Sequence, residues 1–108
     1  MIETRPFPDG VVLDVPAMFE SEALQLAVQE QLESGQRRII LNLAQVTFIE
    51  SSGLGSLVSA FKYCESHGGA LGFCGIQPQV RQLLDLTKLS RVLKLFADEQ
   101  DALAALSA

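Results

Sequence analysis

The sequence has no tryptophan, one tyrosine, one histidine and two cysteines in 108 residues. Lysine and arginine number 8 against 13 acidic residues, for a formal net charge of −5. Each scarcity removes a class of function. A nucleic-acid surface needs clustered Lys and Arg, whereas the cations here are scattered apart from Arg37 and Arg38. No nucleic-acid partner is expected. Cys64 and Cys74 sit in the apolar settings "KYCES" and "LGFCGI", with no C-x-x-C and no metal-ligand spacing. They are expected to be buried reduced thiols, and neither a metal nor a cofactor is expected. No apolar run approaches the ~20 residues of a membrane-spanning helix. The start "MIETRPFPDG" has an acid and two prolines where a signal peptide would carry a basic end and an apolar stretch. The expectation is a cytoplasmic protein without direct membrane insertion, residues 1–108 forming a single domain.

What is present reads as alternating elements. "VVLDV" (Val11–Val15) is a short strand that Pro16 closes, and "PDG" (Pro8–Gly10) is a turn that makes "IETRPF" its hairpin partner. Pro6 confines that partner to a sheet edge. "SEALQLAVQEQLESG" has Leu24, Ala27, Val28 and Leu32 at helical spacing, Ser21 as a candidate cap and Gly35 as a stop. "RRIILNL" (Arg37–Leu43) is a buried type of strand that continues loosely towards "VTFI" (Val46–Ile49). From about Ser52, Leu54, Leu57, Val58 and Phe61 mark one face of a helix that "HGG" (His67–Gly69) ends. "ALGFCGI" (Ala70–Ile76) is a strand. Pro78 opens a helix with Val80, Leu83 and Leu84 on one side. "RVLKLF" (Arg91–Phe96) is a short strand, and Asp98 can cap a last helix. Strands separated by helices imply crossovers and a largely parallel sheet. The expected fold class is α/β, a mixed, mostly parallel sheet with an N-terminal antiparallel edge and about four helices.

"IESSGLG" (Ile49–Gly55) admits several chemistries. A nucleophilic serine needs a base within hydrogen-bond reach. The lone histidine, His67, lies sixteen residues from Ser51 along one helix, about 24 Å at 1.5 Å per residue. The G-x-S-x-G elbow is absent as well. A P-loop needs a lysine directly after its glycines, and here the first is Lys62, beyond the acid Glu50. Catalysis is therefore not expected. A serine cap from Ser51 or Ser52 fits the start of a helix. Gly53 and Gly55 in the first turn cost helix propensity, which close approach of another backbone or a partner would explain. Ser52, Gly55, Ser56, Ser59, Lys62 and Tyr63 form a small, polar face opposite the apolar one. A phosphoryl group on Ser51 would add about −1.5 to −2 charge at a helix N-terminus able to accommodate it.

These residues carry a resemblance. "LNLAQVTFIESSGLGSLVSAFK" resembles the signature of the STAS domain, in particular the anti-sigma factor antagonists of bacterial partner switching. The likeness runs through Ile39–Leu43, Phe48–Ile49 and Glu50-Ser51-Ser52-Gly53-Leu54-Gly55. "GGALGFCGIQPQVRQLLDLTKLSRVLKLF" resembles the second half of that fold, whose helices lie mainly on one side of the sheet. The resemblance implies a non-enzymatic regulator that binds a serine kinase of the histidine-kinase-like ATPase class, itself the anti-sigma factor, and so releases a sigma factor. It also implies a switch, with phosphorylation at Ser51 breaking the complex and a PP2C-type phosphatase restoring it. By position the contact surface comprises Glu20, Glu50, Ser52, Gly53, Leu54, Gly55, Ser56, Ser59 and Lys62. Glu50 stands where the family usually has Asp, and "VPAMFESE" lacks the family's common glycine. STAS domains also serve as unphosphorylated scaffold subunits of lipid-transport and chemosensory assemblies, the second function class the resemblance implies.

Overall fold

In the computed structural model, which describes residues 2–107, two short strands open the chain. These are β1 (Glu3–Phe7) and β2 (Gly10–Asp14), joined by the Pro8-Asp9 turn into an antiparallel hairpin with Phe7 opposite Gly10. There follow α1 (Ser21–Glu33), β3 (Arg38–Asn42), α2 (Ser51–Ser66), β4 (Ala70–Cys74), α3 (Pro78–Leu86), β5 (Lys94–Leu95) and α4 (Glu99–Leu106). The strands lie side by side in chain order, and every pairing after the hairpin is parallel.

The apolar runs of the inner strands follow from burial on both faces, as parallel sheets require. Side chains alternate across a strand. Val11, Leu13, Ile39, Leu41, Leu71 and Phe73 therefore point to one side, where Leu24, Val28 and Leu32 of α1, Leu57, Ala60 and Cys64 of α2 and Val80 and Leu84 of α3 meet them. Phe61 of α2 adds a tilted contact with Phe73, ring centroids 6.5 Å apart. Val12, Ile40 and Cys74 point to the other side, against Ala102 and Leu106 of α4. Three helices thus cover one face and one helix the other.

Helix ends are set locally. The backbone N–H groups of Gly35 and Gln36 donate to the carbonyls of Leu32 and Gln31 at the end of α1. Those of Gly68 and Gly69 donate to Glu65 and Cys64 at the end of α2. Both are 6→1 and 5→2 closures that need positive φ at the first residue, supplied by Gly35 (103°) and Gly68 (77°). Asp98 caps α4 by accepting from the Asp101 N–H at 2.9 Å. Across the thinner face, Arg5 of β1 pairs with Asp14 of β2 and Glu99 of α4. The Asn42 side-chain amide donates to Glu99 at 3.0 Å. Arg5 holds the Glu99 carboxyl below its ordinary range, burial working against it and Asn42 helping.

Three expectations change and one holds. Residues 46–49 are a loop, turned by the Val46 N–H donating to Leu43. The last strand spans only Lys94–Leu95, because Leu89–Arg91 form a 3-10 turn after Lys88 takes a left-handed φ of 63°. Ser21 is the first residue inside α1, and Glu20 is its N-cap residue, with no side-chain cap. Cys64 and Cys74 are buried and free as expected, and burial pushes both thiols up to about 11.

Candidate functional site

The start of α2 is set by backbone and apolar contacts. Glu50 takes an extended conformation (φ −79°, ψ 165°) as the N-cap residue, and its carbonyl accepts the first helical bond from Leu54 at 2.9 Å. Ser51 is the first helical residue, and no side chain caps this end. The serine cap expected from the sequence is therefore corrected. Instead Ile49 and Leu54 occupy the N′ and N4 positions of a hydrophobic staple, Ile49 within the core and Leu54 packed against it. Ser51 and Ser52 are left exposed, their hydroxyls free of any capping duty.

The buried stripe of α2 is Gly53, Ser56, Leu57, Ala60 and Cys64. It is rotated by about one position from the stripe expected from Leu54, Leu57, Val58 and Phe61. Two surface assignments change with it. Ser56 is 1% exposed and its hydroxyl donates to the Gly53 carbonyl at 2.6 Å, so it does not lie on the outer face. Gly53 is buried under the Phe19 ring, where a Cβ would sit 3.3 Å from Phe19 and 3.2 Å from Ile49. Its missing side chain is explained within the chain. Around Gly55 nothing lies within 4 Å of a built Cβ, so nothing among the described residues requires that glycine.

The outer face is consequently Ser51, Gly55, Ser59 and Lys62, all exposed and spaced i, i+4, i+8, i+11 along one side. Ser52 and Glu50 flank it at the N-terminal end, both exposed, and Leu54 is half-buried. Tyr63 leaves this face by stacking on His67, ring centroids 4.0 Å apart. Glu20 is exposed at the start of α1. It lines a surface cleft with Met18 and Phe19, residues that also line the groove holding Glu50, Ser52 and Gly53. Sequence reasoning missed the exposed aromatic next to the serines, Phe48, because alternation in "VTFI" reads as a strand. His67 follows the last residue of α2, a full helix length from Ser51, so the two cannot form a catalytic pair. Among the described residues no group of acids, histidines and cysteines is placed to hold a metal ion, and no helix is long and apolar enough to cross a membrane.

The strand–serine turn–helix arrangement has a counterpart. The STAS domain family model matches residues 17–102. The chain belongs to the STAS domain family. An anti-sigma F factor antagonist of Paenibacillus polymyxa is 30% identical over 87 residues, 80% of this chain and 74% of that one. The NMR structure of TM1081, a Thermotoga maritima protein, is 27% identical at a TM-score of 0.85, covering 98% of this chain and 88% of that one. Bacillus SpoIIAA, solved in its phosphorylated form, shares the fold at a TM-score of 0.73 with 17% identity, over 99% of this STAS chain and 100% of that one. The sequence similarity places the chain among the anti-sigma factor antagonists of the STAS family.

Proposed function

We propose that this STAS protein binds a serine kinase of the histidine-kinase-like ATPase class, which acts as anti-sigma factor, and thereby releases a sigma factor. Phosphorylation of Ser51 ends the complex, and a PP2C-type phosphatase resets it. The observation that carries this reading is an exposed serine at the first position of α2, one turn from a glycine with open space above it. A partner can approach the backbone closely at Gly55, and a phosphoryl group on Ser51 would stand in that approach. The modified residue costs the fold little, because the first-turn N–H groups and the helix dipole favour an anion there. Nor does it break a cap, since Ser51 makes none. Glu50, Ser52, Leu54, Ser59, Lys62 and Glu20 border the same approach. Gly53 contributes by shaping the turn, and Ser56 by holding it from inside. On this reading the molecule acts by binding, in keeping with His67 lying a full helix length from Ser51.

The test is phosphorylation by the cognate kinase with ATP, read by intact mass for wild type and Ser51→Ala. A single phosphoryl mass in wild type that is absent from Ser51→Ala is expected, with loss of the kinase complex on modification. A phosphoryl mass that persists in Ser51→Ala would move the site, Ser52 being the neighbour to examine. No phosphate in either protein would favour the scaffold role.

A further inference from the structure

Three large apolar side chains are far more exposed than their neighbours: Met18 at 90%, Leu86 at 79% and Phe48 at 73%. They come from three separate segments, the loops before α1 and α2 and the end of α3, yet they are not scattered. Phe48 is a shared wall. On one side lies a groove of about 300 Å³ that also holds Met18, Glu50 and Ser52. On the other lies a groove of about 420 Å³ that ends at Leu86. Met18 continues into a third cleft, which ends at Glu20. Single exposed hydrophobics are ordinary, but a joined set with grooves between its members marks a contact surface.

The charges around these grooves choose the occupant. The charged residues lining them are Glu20 and Glu50, with no lysine or arginine among the described linings. A second copy of the chain related by a two-fold axis would bring this acidic patch against itself. An anionic lipid surface would meet the same repulsion. A protein segment that offers apolar side chains with lysine or arginine beside them meets none.

We propose that the kinase docks through such a segment. It seats one large apolar side chain between Met18 and Phe48 and a second between Phe48 and Leu86, with basic groups facing Glu20 and Glu50. This rests on the kinase-binding reading above and adds which part of the surface holds the partner and what chemistry the partner presents. Phe48 is then the central anchor of the complex, while Ser51, three residues on, carries the switch. Holding and switching fall to different side chains.

The experiment is calorimetric titration of the full chain with the purified cognate kinase, at low and moderate salt. It uses wild type, Phe48→Ser, Leu86→Ser and Glu20→Gln, with circular dichroism to confirm folding of these surface variants. Phe48→Ser is expected to weaken binding ~30-fold or more, the loss that marks a hot-spot residue. Leu86→Ser should weaken it several-fold, and Glu20→Gln should lower affinity and flatten its salt dependence. If wild type binds and phosphate on Ser51 releases it, yet both serine variants bind within twofold of wild type, the docking inference is overturned and the switch stands. If wild type itself fails to bind the kinase, both fall together. Light scattering that shows a wild-type dimer lost in Phe48→Ser would assign the face to a second copy and overturn the inference. Sedimentation with phosphatidylcholine vesicles lost in the same variant would assign it to a membrane, with the same consequence.

Discussion

On its inner side α2 carries Gly53, Ser56 and Ala60 beside Leu57 within the core, Gly53 directly beneath Phe19. On its outer side it carries Ser51, Gly55 and Ser59 in the open. The residue types are nearly the same, and their circumstances are opposite. Inside, small size lets α2 lie close to what covers it, and α1–α2 is the most extensive helix pairing in the chain. Outside, the missing side chain of Gly55 has no neighbour within 4 Å, and it costs the helix propensity that alanine or leucine would supply. A glycine explained by its neighbours and a glycine unexplained by them stand two residues apart, and on the proposed function the second belongs to recognition rather than to folding.

The contrast can be attacked from either side. The largest effect belongs to the buried stripe. Leu57→Ala, at a fully buried position, should destabilise by about 2–5 kcal/mol in urea denaturation, with kinase affinity unchanged for the fraction that stays folded. An equal loss of intrinsic affinity would mean that the two sides are not independent. Next comes Ser51→Glu, which should leave the urea midpoint nearly unmoved and weaken kinase binding about tenfold, or about 1.4 kcal/mol. Ser51→Ala should keep wild-type affinity.

The two glycines give a smaller and more diagnostic pair. Gly55→Ala adds a methyl into open space and should stabilise by about 0.5–1 kcal/mol while lowering kinase affinity. Gly53→Ala should gain less, because its methyl must displace the Phe19 ring. Equal gains at both positions in thermal melts would remove the distinction between the two glycines. The smallest effect tests the reach of the comparison, on the far side of the sheet. Glu99 has its carboxyl lowered by Arg5. Its stabilisation is therefore present above the ordinary glutamate range, near pH 4.3, and fades as pH falls through the lower folded value. Glu99→Gln should flatten that acid limb of the stability curve and leave kinase binding untouched.

Much of this was legible beforehand because parallel strands advertise themselves. Val11–Leu13, Ile39–Leu41 and Leu71–Cys74 are apolar without alternation, which happens when both faces are covered. Asp98 as a cap and the glycine after α1 were equally plain, each satisfying free backbone groups by short-range means. The helix α2 was harder. Hydroxyls are favoured caps, so Ser51 looked like one, but the decisive signal was the apolar pair Ile49 and Leu54 astride Glu50. The buried face was misplaced because hydrophobicity marks the side that buries large groups, whereas Gly53 and Ser56 mark where α2 comes closest to its cover. Phe48 was hidden for the opposite reason. An aromatic next to a buried isoleucine reads as core until the turn at Val46 points it outwards.

Arg5 and Glu99 stand 94 positions apart in the chain, and Asn42 on β3 binds the same carboxylate. These contacts exist only after β1, β2 and β3 are already side by side. The last helix is therefore tied to strands already paired with one another, and its buried contribution of Ala102 and Leu106 is modest. On these grounds α4 is expected to open before the strands it covers. Hydrogen exchange should find its amides opening at a lower free energy than those of β3 and β4, a flap that can lift while the layer carrying Ser51 keeps its shape.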